Sequence, residues 1–317
     1  MKEDIMVSVI CNAYNHEPYI SKCLDGLVMQ ITNFRYEILI HDDASRDRTA
    51  EIIREYEKRY PEIIKPIYQT ENQYSKGGIG KFQYPRAKGK YIAFCEGDDY
   101  WTDSYKLQKQ FDALEAHPEV DMCAHAALII SEDGTSEVGE VCPRQEICII
   151  PAEDVIAGDG GFVATNSLMY RNGFENNDRK FRKVWSIDYS LQIAGALRGG
   201  MLYLPEIMSV YRYMSMGSWS AAQANDIEKR KDTLNKKIAM LQELNSETKG
   251  VYHDVIENTI AYAEFWFFYY DGPFRKAMSR KYKKIRRMVG RRVTLKLLGK
   301  IIFPWTILWK RKGSVGR

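Results

Sequence analysis

Residues 91–101, YIAFCEGDDYW, decide how this chain folds. Tyr91 to Cys95 form an apolar run, three acids follow at its end (Glu96, Asp98 and Asp99), and a helix start is placed at Thr102-Asp103. An apolar run without polar alternation is a strand covered on both faces, the kind that parallel sheets use. Adjacent carboxylates at such an end suit a hard divalent cation, Mn²⁺ or Mg²⁺. These ions take one or two carboxylates and fill their other sites with water and substrate phosphates. An isolated Asp-Asp pair is more often a solvated turn, so the reading depends on its neighbours.

Upstream, Val7 to Cys11 is a short β-rich run, Glu17 to Gln30 is helical, and Tyr36 to Ile40 is a strand ending at His41-Asp42-Asp43. The unit is β-α-β. Ser45 is placed to cap the next helix, with Asp47 in its first turn; Ile52, Ile53, Tyr56 and Tyr60 keep helical spacing until Pro61 stops it. Ile63 to Gln69 is a third strand, and Leu107, Phe111 and Leu114 line one face of a helix after the acidic cluster. This alternation predicts an α/β fold, a mostly parallel sheet flanked by helices, which binds ligands at the carboxyl ends of its strands. Asn12-Ala13-Tyr14-Asn15, Asp42-Asp43 and Glu96-Asp98-Asp99 all fall at such ends.

From about 120 to 215 the pattern is α+β, with strands at 121–130, 165–170 and 201–204 and a helix over Ile187 to Leu197. Beyond Ala221 it is helical, including the aromatic run AYAEFWFFYYDG. The predicted organisation is one domain over 1–220, in two halves, 1–115 and 116–220, and a helical C-terminal region over 221–317.

Two nucleotide-binding patterns are excluded. The first strand-to-helix turn, CNAYNHEPY, has none of the glycines that bring backbone to a pyrophosphate. The nearest approach to a P-loop, at Gly80-Lys81, has Ser75 and Phe82 where Gly and Ser or Thr are required. Six cysteines without a CxxC pair read as reduced thiols, and the N-terminus has too short an apolar run for a signal peptide, so a cytoplasmic location is expected.

At this point the residues carry a resemblance. VSVICNAYN resembles the opening strand of family 2 glycosyltransferases of the GT-A fold, YEILIHDDASRDRT their second strand and turn, and AKGKYIAFCEGDDYW their strand with a DXD-type metal motif. WSIDYSLQIAGALRGGMLYLPEIMSVYR is similar to the segment that supplies the family's catalytic base.

The resemblance implies that Ala13, Tyr14 and Asn15 border the nucleotide, that Asp43 accepts from the base (uracil N3–H), and that Asp98 and Asp99 flank ribose, diphosphate and metal. Asp188 would be the general base, and Asp42 would orient its neighbours. The implied activity is that of a metal-dependent, inverting, hexosyltransferase-type enzyme. It would move a sugar from a UDP-sugar to a hydroxyl of a glycan or lipid-linked glycan, as in polysaccharide and cell-envelope synthesis. Departures from the family pattern are Asn12-Ala13 in place of Pro-Thr, Glu96 in place of Asp, and no His soon after Tyr211-Arg212. Trp101, Trp185 and Trp219 are candidate acceptor or lid contacts, Ser215 to Ser220 a candidate lid, and Lys76, Lys81 and Arg86 candidate diphosphate contacts. The competing readings are another metal-dependent nucleotide-sugar enzyme, such as a nucleotidyltransferase, and a non-catalytic basic-tailed binding protein.

The net charge of +4 hides an asymmetry: from Gly272 onward there are sixteen Lys/Arg and no Asp/Glu, against 30 basic and 42 acidic residues before it. The tail is expected to be amphipathic and to lie on the anionic inner face of the cytoplasmic membrane, with Ile301, Ile302, Phe303, Trp305, Ile307, Leu308 and Trp309 at the acyl boundary. Nucleic acid is not expected as a partner, because the acidic remainder does not track a phosphate backbone.

Overall fold

The computed structural model describes residues 4–76, 78–173, 179–185, 187–215 and 226–302. Two compact units divide the chain, Met1–Arg179 with Ser186–Ala222, and Lys180–Trp185 with Gln223–Arg317.

Among the described residues, the first unit is built on a ten-stranded sheet. Its strands are β1 (Ile5–Ala13), β2 (Arg35–Asp42), β3 (Ile64–Tyr68), β4 (Tyr91–Phe94), β5 (Tyr100–Trp101), β6 (Met122–Ile130), β7 (Glu137–Val141), β8 (Cys148–Ile150), β9 (Met169–Arg171) and β10 (Met201–Arg212). The order is β3-β2-β1-β4-β9-β6-β10-β5, with β7 on β6 and β8 on β10. The first four strands are parallel, as the apolar runs predict. The second half is mixed: β9 runs antiparallel between β4 and β6, β10 is parallel to β6, and β5 is antiparallel to β10.

Register fixes where the site lies. Ala13 pairs with Asp42 and Ile10 with Phe94, so β1, β2 and β4 end on one edge. Val7, Val9, Cys11, Ile38, Ile40 and Ala93 fill the core beneath it, against Leu24 and Leu27 of the helix Ile20–Val28. Immediately after the acidic cluster, β5 pairs with the far end of β10 (Trp101 with Ser209, Tyr100 with Val210). That pairing returns the chain from β4 to the mixed half of the sheet and sets Asp98-Asp99 beside Arg212.

The second unit is helical: Lys180–Val184, Ile227–Glu247, His253–Asp271, Phe274–Ala277 and Lys283–Ile302, the last kinked at Gly290, whose φ is 85°. Its aromatic run makes a core of its own, in which Phe265, Tyr269, Ala277, Tyr282, Ile285 and Leu297 are buried together. Ile301 also packs on this cluster, so it and Leu297 turn inward, not toward the surface expected of the tail. Phe303 to Trp309 lie outside the described residues.

Candidate active site

The loops after β1 and β2 are laced together by backbone groups that helices and strands leave over. Asn15 adopts a left-handed conformation (φ 54°). Its N–H donates to Ser45 Oγ (2.9 Å), and its side-chain oxygen accepts from Arg46 N (2.8 Å). His16 N donates to Thr49 Oγ1 (2.8 Å), and Glu17 N to Asp47 Oδ2 (3.0 Å). Ser45 therefore ties the two loops instead of capping the helix Thr49–Arg59; Asp47 Oδ1 accepts from Thr49 N (3.0 Å) at that helix start. Between them, Asp43 N donates to Ala13 O (2.9 Å), and both Asp43 carboxylate oxygens accept from backbone, Gln73 N at 2.6 Å and Tyr74 N at 3.0 Å. Asp42 is buried, which pushes its carboxyl above the usual range, while hydrogen bonds from Ser45 pull it down.

The acidic cluster after β4 depends on a glycine. A Cβ at Gly97 would stand 2.7 Å from His16 Nδ1 and 3.2 Å from Ala13 Cβ, so only glycine lets this loop lie against the end of β1. Asp99 is 2% exposed; its Oδ1 accepts from Arg212 N (2.8 Å) and its Oδ2 from Asn166 Nδ2 (2.9 Å). Arg212 also donates through Nε to Asp98 O (3.1 Å) and through Nη1 to Glu132 O (2.7 Å). Asp98 is more accessible and accepts from Ser215 Oγ at 2.5 Å. Burial, then repulsion from Asp98 and Glu96, holds Asp99 well above the ordinary carboxylate range. Burial, then Asp188 and Asp98, does the same to Glu96.

Asp188 opens the helix Asp188–Ala196. Solvent reaches it, yet the atoms crowded round its carboxyl desolvate it and raise its pKa, an effect opposed by Thr165, whose Oγ1 donates to Oδ2 at 2.6 Å. The charges of Glu96 and Asp188 both act on Tyr74, on the segment that Asp43 anchors. Glu96, Asp98, Asp188 and Tyr74 thus form one neighbourhood, drawn from β4, the Asp188 helix and the segment after β3.

Residues 8–197, more than half of the chain, match the model of Glycosyl transferase family 2. The chain belongs to that family. The uncharacterized protein Rv1520 of Mycobacterium tuberculosis is 39% identical over 218 residues, 68% of this chain and 61% of its own length. The chain thus spans less than two thirds of that relative. The uncharacterized glycosyltransferase alr2836 of Nostoc sp. is 28% identical over 234 residues, covering 71% of this chain and 70% of its own. S. aureus TarS in complex with UDP-GlcNAc superposes with a TM-score of 0.63 at 17% identity, over 94% of this chain and 81% of TarS, which supports the GT-A fold.

Several expected roles change in this family 2 chain. Trp101 is buried, its indole N–H donates to Asn166 O (3.0 Å), and Lys106 Nζ lies 3.9 Å from its ring centroid. It is a core residue, not an acceptor contact. Trp185 closes the short helical piece that groups with the second unit, and Trp219 lies outside the described residues, as do 216–220 of the expected lid. Arg86 donates to Lys65 O (2.7 Å) and Lys76 pairs with Glu71, so both have local partners other than a diphosphate. Ala13 is buried at the end of β1 and Tyr14 is exposed beside it. Asp99 is the chief correction: the resemblance makes it a metal ligand, whereas its oxygens already serve Arg212 and Asn166, and Asp98 and Glu96 are the carboxylates left accessible.

Sequence reading missed His16, Tyr74, Thr165 and Asn166. Only the polar run Thr165-Asn166-Ser167 before the apolar Leu168-Met169-Tyr170 carries a signal, that of a turn instead of a strand. A cavity of about 460 Å³ lies elsewhere in the first unit, lined by Cys142, Arg144 and Phe162 among others, and none of the acidic cluster lines it.

Proposed function

We propose that this chain is an inverting glycosyltransferase that moves a hexosyl group from a UDP-sugar to a hydroxyl of a glycan or lipid-linked glycan. The observation that carries the reading is Asp188, held by Thr165 at one oxygen and set within the electrostatic reach of Glu96, the strand-end acid on which Asp98 also acts. Asp188 takes the proton of the acceptor hydroxyl as it attacks the anomeric carbon, a contribution typically worth ~10²–10⁴ in rate. Ala13, Tyr14 and Asn15 border the nucleotide, and Asp43, whose oxygens hold Gln73 N and Tyr74 N, fixes the segment on the base side. A uridine donor is favoured by the likeness to TarS, which binds UDP-GlcNAc.

Among the described residues no three His, Cys, Asp or Glu side chains converge as an all-protein cation cage. The acids present nevertheless fit Mn²⁺ or Mg²⁺ in a nucleotide-sugar site, where one or two carboxylates suffice and phosphates complete the shell. Asp98 and Glu96 would hold the ion, and Asp99 holds the loop that carries them. When bound, the ion would offset the charge of the leaving diphosphate.

The test is turnover of a panel of UDP-, GDP- and dTDP-sugars with Mn²⁺, by wild type and by Asp188→Asn. A selective UDP-sugar that the variant binds but turns over at least roughly a hundredfold more slowly supports the reading. Wild-type turnover in the variant, or selectivity for a non-uridine donor, overturns it.

The proposal extends to location. No helix among the described residues is long and apolar enough to cross a membrane. On the helix Lys283–Ile302, Lys284, Arg287, Arg291, Arg292 and Lys296 are exposed, with Met288 (70%) and Leu295 (66%) exposed among them. This suits the anionic inner surface of the cytoplasmic membrane, where each basic residue contributes on the order of 1 kcal/mol. Deleting the tail would strip Phe265 and Tyr269 of their core, so point variants are the better probe. R287E/R291E/R292E and M288S/L295S should each lose flotation with phosphatidylglycerol vesicles; flotation equal to wild type in both rejects attachment through this face.

A further inference from the structure

The short turn Thr165–Ser167 touches both sides of the site. Thr165 Oγ1 donates to Asp188 Oδ2 (2.6 Å). Asn166, fully buried, donates from Nδ2 to Asp99 Oδ2 (2.9 Å) and Val210 O (2.9 Å), and accepts from Ser209 Oγ (2.7 Å) and, at its backbone oxygen, from the Trp101 indole (3.0 Å). Ser167 Oγ donates to Ala164 O (2.6 Å), and Ser167 O accepts from Gln110 Nε2 (2.8 Å). Both ends of the Asn166 amide are thus engaged, by the loop that carries Asp99 and by β10, and a side chain satisfied in this way has one arrangement instead of several.

From this geometry we infer that Thr165 is a positioning residue for Asp188, fixing Oδ2 so that Oδ1 is the oxygen presented to the acceptor hydroxyl, while Asn166 locks the same turn to Asp99. The inference rests on the reading of Asp188 as the base. Its physical content is torsional. The terminal torsion of an aspartate is broad and roughly two-fold, so a carboxylate held at one oxygen samples far fewer orientations than a free one. A general base must meet its proton at hydrogen-bond distance, and a displacement of about 1 Å can cost on the order of a hundredfold in rate. The hold acts at no distance from the chemistry, whereas the Asn166 arm reaches the donor-side loop through Asp99 and Arg212 N, so one turn fixes the spacing between base and donor cluster.

The experiment uses the full chain, Mn²⁺, UDP-glucose and UDP-GlcNAc as donors and water as acceptor. Thr165→Val keeps the β-branched shape and removes the hydroxyl; Thr165→Ser keeps the hydroxyl. The expected result is a kcat roughly ten- to a hundredfold lower in Thr165→Val, with donor KM and unfolding midpoint close to wild type, and rescue to within about threefold in Thr165→Ser. In an Asp188→Asn background, Thr165→Val should add no further loss, because the two residues act as one unit. An unchanged kcat in Thr165→Val overturns the inference, as does a loss shared between kcat, KM and stability that serine fails to rescue. A wild-type rate in Asp188→Asn instead removes the base assignment, and the positioning role falls with it. If neither donor turns over, the χ1 of Thr165 measured by three-bond couplings decides. One rotamer in wild type that averages in Asp188→Ala supports the hold, and averaging already in wild type overturns it.

Discussion

Two Asp-Asp pairs stand on either side of β1, Asp42-Asp43 at the end of β2 and Asp98-Asp99 just beyond β4, and they are alike in one member and opposite in the other. The second aspartate of each is a strut: both oxygens of Asp43 accept from Gln73 N and Tyr74 N, and both oxygens of Asp99 accept from Arg212 N and Asn166 Nδ2. The first members diverge. Asp42 is still in strand register, opposite Ala13, and is buried; Asp98 follows Gly97 into a loop and keeps access to solvent. The same dipeptide is an internal fastening in one place and an open carboxylate in the other. What decides is whether the strand has ended before the first acid.

The largest effect expected from this difference is on activity. Asp98→Ala should lower kcat/KM for a UDP-sugar by roughly a hundredfold or more, through loss of a charge that faces ligand, with little change in the denaturation midpoint. Asp42→Ala should show the reverse balance. Equal kinetic losses in the two variants would erase the distinction.

Next in size is the strut. Asp99→Ala removes the acceptor of Arg212 N and one of the two acceptors of Asn166 Nδ2, both buried, and at about 1–3 kcal/mol each this should lower stability by roughly 2–6 kcal/mol. Urea unfolding measures it. The same substitution at Asp43 should cost less, about 1–3 kcal/mol, because its donors are only partly buried and water can replace the carboxylate. A larger loss at Asp43 than at Asp99 would reverse the ranking.

The support beneath the second pair can be titrated. Lys106 is fully buried, donates to Gln110 Oε1 (2.7 Å), and burial lowers its pKa from 10.5 to about 7. Between those values the unfolded chain binds a proton that the native chain does not, so stability rises with pH; this contribution is complete above the unfolded value and is lost as pH falls through about 7. From pH 7 to 9 the slope should be on the order of 1 kcal/mol per pH unit, and Lys106→Met should flatten it. Above that window Cys95 and Cys123, pushed up to about 11 and about 12, oppose the trend. An unchanged slope in the methionine variant would mean that Lys106 stays charged.

The smallest effect lies at the first pair. Ala44, directly after Asp43, is held at φ 64°, a conformation unfavourable to any residue with a Cβ. Ala44→Gly should therefore stabilise by about 0.5–1 kcal/mol in spite of glycine's greater unfolded-state freedom. A loss of stability would show that the Ala44 methyl is packed to advantage.

The sequence by itself determined the parallel half of the sheet, because Val7 to Cys11, Tyr36 to Ile40 and Tyr91 to Phe94 are apolar runs with turn or helix signals between them, and such runs have few other ways to be buried. It also determined that acids collect at one edge, since parallel strands end together. It did not reveal that β9 runs antiparallel, because a three-residue strand carries almost no periodicity, nor that the Asp99 carboxylate is spent on Arg212 and Asn166, which lie 113 and 67 residues away. Trp101 and Ser45 failed for the same reason: local spacing describes what a side chain can offer, and only the tertiary arrangement decides which donor, acceptor or ring it meets. The acidic edge was therefore legible from local chemistry, while the division of that edge into struts and open carboxylates was made by long-range pairing of β5 with β10 and by the turn at Thr165–Ser167.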